Sequence, residues 1–292
     1  MANTSSNTGT SSQPGVVQLL PEVLGKGAFG KVYVGLYFGQ RVAVKLVDRA
    51  FQPAGLLPAD SRELEVMGRC WHPNIVRLLA ACVKPPRPFL VMELMGIALD
   101  KLMHAEAATL LPMDLVSHGL VRVILHRDLK PANVLLNDPW SKRPVVKISD
   151  FGLSRIHRSV ALTQSPEAGT PAYQAPECFD VDNYAISYKV DIYSFGVLLW
   201  EMLAGAHPWE GLGTVAIAFQ IAFKGRRLPI PPSNKPGSCP ARWPLQLCEM
   251  LQECWDQDPN RRPAAAELAK RLTLVRQPNR KLQPAPTTDE NP

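Results

Sequence analysis

The sequence predicts an α+β protein of two lobes: a small antiparallel β-rich lobe with one helix, then a larger, mainly helical lobe. Three observations carry that expectation. Strand-like alternation of apolar residues fills the first third of the chain, helical apolar periodicity fills the last, and 292 residues suffice for two cores. Apolar residues make up 46% and charged residues 20%, a globular balance that argues against a fibrous or disordered chain.

Taken in order, residues 1–15 are mostly Ser, Thr, Asn and Gly and predict a disordered tail, because so little apolar surface cannot offset the entropy of ordering. VVQLLPEVLG, KVYVGLYF and QRVAVKLV then read as three strands separated by short breaks containing Gly. A short helical pattern spans Arg62 to Cys70, and NIVRLLAACV and PFLVMEL read as two more strands. After Gly96 the period changes. VDIYSFGVLLWEMLAG, TVAIAFQIAF and LQLCEMLQECW repeat at helical spacing, and Gly205 falls where the first of them should stop. Residues 276–292 are rich in proline, without periodicity, and predict a second tail. The globular region is therefore 16–275, divided into lobes 16–95 and 96–275.

Several function classes drop out at this stage. The best apolar run, Ile192 to Leu203, is too short for a membrane span and contains Glu201. The start, MANTSSNTGTSS, lacks the basic and apolar segments of a secretory signal. Six cysteines without zinc spacing read as reduced thiols, which suits the cytoplasm, with the nucleus as the alternative. The net charge of +6 suits an anionic ligand, but no basic stripe interleaved with aromatics points to nucleic acid.

Two groups of residues carry chemistry. The first is Gly25-Lys26-Gly27-Ala28-Phe29-Gly30, placed between two predicted strands. Glycines there let backbone N–H groups approach phosphate oxygens; the plainer alternative is a glycine-rich hairpin turn. The loop precedes a strand and lacks the Gly-Lys-Ser/Thr ending, so neither a Walker loop nor a dinucleotide fingerprint fits. Lys45 closes an apolar strand fifteen residues after Gly30. The second group is more specific: His126-Arg127-Asp128-Leu129-Lys130-Pro131-Ala132-Asn133, then Asp150-Phe151-Gly152, then Ala175-Pro176-Glu177. Such an ordered set on one chain is not a chance collection.

From about Val17 to Leu274 the sequence resembles the eukaryotic protein kinases. Cys254-Trp255-Asp256-Gln257-Asp258-Pro259 and Tyr193-Ser194-Phe195-Gly196 resemble the tyrosine-kinase-like group, including the Raf-like, mixed-lineage and plant-type enzymes. The resemblance implies a bilobal kinase fold, ATP and Mg²⁺ as cofactors with Mn²⁺ as the alternative metal, and protein serine or threonine hydroxyls as substrate. It implies that Lys45 holds the α- and β-phosphates and pairs with Glu63, preferred on register over its nearby rival Glu65. Asp128 orients the substrate hydroxyl, Lys130 reaches the transferring phosphate, and Asn133 and Asp150 hold the metal. Val32, Ala43 and Leu135 would enclose the adenine, with Met92 preceding a hinge, Glu93-Leu94-Met95, whose backbone meets the base edge. Lys130 and Thr170 are of the serine/threonine pattern, with Thr170 contacting Asp128 and Lys130. Met67, Leu78, His126 and Phe151 match a second apolar column. Asp191 would hold the catalytic loop, with a helix N-cap as its alternative role, and Glu177 would pair with Arg262. Arg127 and Arg155 would receive a phosphate placed on Ser159, Thr163 or Ser165.

The chain departs from the family in two places, a minor one at Gln174, where Met is commoner before Ala175-Pro176-Glu177, and a larger one before His126. Glu93 to His126 spans 33 positions, where members usually place more than about 40 residues, including a long helix. Val116, Leu120 and Ile124 recur at spacing four, so Met113 to Leu125 could form a shorter surrogate, although Gly119 costs it roughly 1 kcal/mol. That departure keeps open an alternative, a catalytically impaired nucleotide-binding scaffold or a shortened variant.

Overall fold

Apolar alternation in the first lobe becomes one antiparallel sheet. Its strands are β1 (Val17–Gly27), β2 (Gly30–Tyr37), β3 (Gln40–Val47), β4 (Leu78–Cys82) and β5 (Phe89–Glu93), in the order β1-β2-β3-β5-β4. The computed structural model describes residues 16–27, 30–47, 67–68, 71–82, 88–104, 124–141, 144–151, 155–156, 161–162, 169–180, 182, 185–231 and 243–276. Residues two apart on a strand share a face. Val42, Val44 and Val91 accordingly pack together on one side, while Ala43 and Met92 join Met67, Val76, Met95 and Phe151 on the other. The second face looks toward the larger lobe. Of the expected helix Arg62 to Cys70, only Met67 and Gly68 fall within the described residues, and both are helical.

Short elements begin at the lobe boundary: β6 (Ile97–Ala98) and α1 (Leu99–Met103), then β7 (Ile124–Leu125), β8 (Val134–Asn137) and β9 (Val145–Ile148). Strands β6, β8 and β9 form a three-stranded sheet. Two small ribbons pair β7 with β10 (Arg155–Ile156), and β11 (Ala161–Leu162) with β12 (Ala185–Ile186). None of these was expected in a lobe read as mainly helical, because strands of two to four residues are too short to show a period. They matter here because they position loops. The Gly96 N–H donates to Asn137 Oδ1 at 2.7 Å, and Ile75 bridges to Ile148, tying the first lobe to β9.

The larger lobe is built around α2 (Lys189–Ala204), which is buried on nearly every face. After α3 (Thr214–Ala218), α4 (Leu245–Cys254) packs against α2, and α5 (Ala265–Arg276) packs on α4 and adds Leu268 and Leu272 to the same core. Gly196 lets α2 and α4 approach closely: a Cβ there would lie 2.7 Å from Trp255 Nε1 and 2.8 Å from Cys254 Cβ. Helix α2 ends at Gly205, which takes φ +64° and donates its N–H to Glu201 O at 2.8 Å, a left-handed cap. The segment TVAIAFQIAF is not one α-helix. It widens after Ala218 into a π-helical turn, Phe219–Phe223, closed by Lys224 N–H donating to Phe219 O at 3.1 Å. Among the described residues no helix is long and apolar enough to cross a membrane.

Candidate active site

The site begins with a buried lysine. Lys45 lies in the middle of β3, paired with Val32 on one side and Leu90 on the other, and only 6% of it is exposed. A buried ammonium needs an anionic partner. Its Nζ donates to Asp150 Oδ1 at 2.8 Å, across the boundary between the lobes. Burial alone would raise the Asp150 pKa, but the charge and hydrogen bond of Lys45, with His126 and Lys130 nearby, hold it below the ordinary carboxylate value. Val32, Ala43 and Leu135 belong to one apolar cluster with Met92, Met95 and Phe151, so the proposed adenine slot is walled by both lobes. Leu78 and Met67 join this cluster, and His126 meets Phe151 edge-on, with ring centroids 5.0 Å apart.

The loop from His126 to Asn133 is held from below. Asp191, in the first turn of α2, accepts the backbone N–H of His126 at 2.7 Å and of Arg127 at 2.8 Å. It does not cap its own helix, whose N-cap residue is Tyr188 with no side-chain cap. Burial raises the Asp191 pKa, and the two N–H donors and nearby His126 and Arg127 offset part of that rise. Arg127 and Asp150 both adopt left-handed backbone, φ +69° and +62°. Strain of this kind costs about 1–3 kcal/mol per residue and persists only where the surroundings over-determine it. Here the two amide contacts to Asp191 supply that constraint for the first of them.

Above this support lies a triangle of polar groups. Thr170 Oγ1 donates to Asp128 Oδ1 at 2.7 Å, and Lys130 Nζ donates to Thr170 Oγ1 at 2.7 Å and pairs with Asp128 Oδ2 at 2.8 Å. Asn133 donates its amide N–H to Asp128 O at 2.7 Å, which turns its amide oxygen away from that contact. The Ser149 N–H donates to Asn133 O at 2.9 Å, which joins the loop of Asn133 to the segment that carries Asp150. Gly169 makes room for the triangle. It takes φ +131°, and a Cβ would lie 2.7 Å from Arg127 O.

Farther out, Arg262 is fully buried and makes two parallel bonds to Glu177, 2.7 and 2.8 Å long. Gly25 and Lys26 lie exposed on β1, and Gly27 pairs with Gly30 across the turn, so the glycine-rich loop is also a hairpin. Gly30 takes φ +138°, a conformation other residues rarely adopt. Glu63, Gly152, Ser159, Thr163 and Ser165 lie outside the described residues, as does residue 105–123 of the shortened segment, and Arg155 is described in its backbone alone.

Two features were not read from the sequence. The hinge reading gives Glu93 a backbone role, yet its carboxylate also accepts the Arg77 N–H at 2.6 Å and pairs with Lys147 of β9 at 2.6 Å. Glu201, in the sequence only a charge interrupting an apolar run, lies 1% exposed and accepts the Tyr173 hydroxyl at 2.6 Å. A lone carboxylate within a twelve-residue apolar stretch was the available signal for it.

A β-sheet lobe joined to a helical lobe, with this lysine–aspartate pair at their boundary and this loop beneath it, defines the protein-kinase class. The family described as protein tyrosine and serine/threonine kinase matches residues 19–272, and the chain belongs to that family. Over 279 residues it is 36% identical to human mitogen-activated protein kinase kinase kinase 10, covering 88% of this chain and 28% of that protein. A probable serine/threonine-protein kinase of Dictyostelium discoideum is 35% identical over 266 residues, covering 86% of this chain and 27% of that protein. The dual specificity protein kinase shkE of the same organism is 34% identical over 270 residues, covering 87% and 36%. These relatives fit the tyrosine-kinase-like group. The chain spans under two fifths of the length of each. Membership of the family implies use of ATP and a divalent metal ion.

Proposed function

We propose that this chain is an ATP-dependent protein serine/threonine kinase. The observation that carries the reading is the triangle of Asp128, Thr170 and Lys130, with contacts of 2.7 to 2.8 Å. It concentrates one base, one hydroxyl and one fixed positive charge where a hydroxyl and a phosphate would meet. Lys130 and Thr170 are the serine/threonine pattern, and the name of the probable serine/threonine-protein kinase of Dictyostelium discoideum agrees with it.

Phosphoryl transfer asks a protein mostly for positioning and charge neutralisation, because its transition state is loose. Lys45 would hold the α- and β-phosphates, and its present bond to Asp150 keeps it aimed at that place. Asp128 would orient the substrate hydroxyl and take its proton as the new P–O bond forms and the bond to ADP breaks. Lys130 would neutralise the transferring phosphate. The carboxylate of Asp150 and the amide oxygen of Asn133 are hard donors suited to Mg²⁺, with Mn²⁺ able to substitute. Bound there, the ion would neutralise phosphate charge. Val32, Ala43 and Leu135 would enclose the adenine, and the backbone of Glu93 and Met95 would meet its edge.

Buried thiols take no part in this chemistry. Burial pushes Cys178 and Cys254 up to about 12, so neither is a nucleophile near neutrality. Four cysteines among the described residues are free, which favours a reducing compartment, the cytoplasm first and the nucleus second.

The test is transfer of labelled γ-phosphate from Mg-ATP to a basic protein rich in Ser, Thr and Tyr, followed by phosphoamino-acid analysis. Phosphoserine and phosphothreonine are expected. No transfer, or label on tyrosine alone, would refute the assignment.

A further inference from the structure

We infer that His104, Glu201 and His207 form a binding site for a divalent transition cation of the zinc class. The inference is independent of the phosphotransfer reading. The three residues come from separate places in the larger lobe. His104 follows α1, and Glu201 lies in the last turn of α2. His207 stands two residues past the left-handed Gly205 cap, where the chain reverses and returns toward Glu201.

The geometry suits a metal. His104 Nε2 lies 3.0 Å from Glu201 Oε1, and His207 Nδ1 lies 3.4 Å from the same oxygen. One ligand atom from each residue falls within 4.8 Å of the others. A tetrahedral zinc ion with nitrogen and oxygen ligands at its usual bond lengths sets them about 3.3–3.6 Å apart. Small side-chain adjustments therefore reach a zinc-like spacing. The two imidazole rings lie 3.8 Å apart at 31°, close enough that two charged rings would repel.

Charge and support point the same way. Glu201 is 1% exposed, and its ion-pair partners among the described residues are the two histidines. A buried carboxylate is costly without a compensating charge. A bound cation would supply it while leaving both imidazoles neutral. The second carboxylate oxygen accepts the Tyr173 hydroxyl at 2.6 Å, the kind of outer bond that fixes a ligand in place. His207 is exposed, 61% at its side chain, which gives an ion a route in and leaves a coordination position open to water. Two imidazoles and one carboxylate favour zinc, and also cobalt and nickel, over magnesium or calcium.

Tyr173 lies three residues beyond Thr170, so an ion at this site would brace the segment whose hydroxyl meets Asp128. The experiment titrates the full chain with Zn²⁺ by calorimetry in excess Mg²⁺, which occupies the hard oxygen ligands near Asp150. One Zn²⁺ per chain that Mg²⁺ does not displace is expected, weakened roughly tenfold or more in His207→Ala and in His104→Ala. His207→Ala is the decisive variant, because its exposed side chain can be removed without disturbing the fold. Titration with Co²⁺ should give a tetrahedral visible spectrum without thiolate charge transfer. No Mg²⁺-resistant Zn²⁺ binding in the wild-type chain would overturn the proposal. So would equal Zn²⁺ binding by wild type and His207→Ala, or a thiolate band with Co²⁺.

Discussion

Helix α2 carries a carboxylate near each end, Asp191 and Glu201, and the two do different things. Asp191 faces backbone: its oxygens take the N–H groups of His126 and Arg127 and so fix a strained loop. Glu201 faces side chains: it takes a tyrosine hydroxyl and two imidazoles. Side-chain partners can be exchanged or replaced by an ion, whereas two amides of one loop cannot move without moving the loop. One helix therefore has a rigid end beneath the catalytic loop and an adaptable end beneath the segment after Thr170.

The largest expected effect follows from the rigid end. Asp191→Ala orphans two buried amides at about 1–3 kcal/mol each and releases the strain at Arg127. Urea unfolding should show a loss of roughly 2–5 kcal/mol. Phosphotransfer should fall by about a hundredfold or more, as for a displaced catalytic group. Activity near wild type would show that the loop is held from elsewhere.

Gly169→Ala should rank next. A side chain there meets Arg127 O and requires an unfavourable φ, costing about 1–3 kcal/mol. Because the Thr170–Asp128 contact moves with it, activity should fall more than stability alone explains. Thermal unfolding and transfer rate measured on the same preparation would separate the two.

Tyr173→Phe probes the adaptable end and should do least. It removes one hydrogen bond, about 1 kcal/mol, and leaves Glu201 its two histidines. Turnover should be nearly unchanged. A loss as large as that of Asp191→Ala would erase the distinction between the two ends.

Acid titration sharpens the comparison by sign. The folded-state pKa of Asp150 is depressed, so its contribution is present above the unfolded value near 3.9 and is lost as pH falls through the folded pKa. That of Asp191 is raised, so its contribution is fully present below about 3.9 and is lost as pH rises through the folded pKa. Relative to Asp150→Asn, the wild-type chain should therefore lose stability below about pH 4. Relative to Asp191→Asn, it should gain stability as pH falls toward that value. Urea midpoints across this range give both slopes.

Legibility in the sequence divides along similar lines. The five long strands and α2 were plain, because alternation and helical period persist for enough residues to be read. Short strands such as β6 and β7 were not, since their pairing is dictated by contacts far away in the chain. Family motifs single out Lys45, Asp128, Asn133, Asp150 and Asp191 in the sequence itself. They could not reveal that Glu93 pairs with Lys147, or that His104 and His207 converge on Glu201, because no local spacing encodes those meetings. The left-handed backbone at Arg127 and Asp150 was equally hidden; it is imposed by surroundings rather than by residue type.

The most direct test of the central claim replaces the carboxylate to which Thr170 and Lys130 converge. Asp128→Asn is nearly isosteric and keeps an oxygen for Thr170, but cannot take a proton from a hydroxyl. Transfer of labelled γ-phosphate should fall by about a hundredfold or more, while ATP-dependent thermal stabilisation persists, because Lys45 and the apolar slot are untouched. Transfer at the wild-type rate would contradict the account.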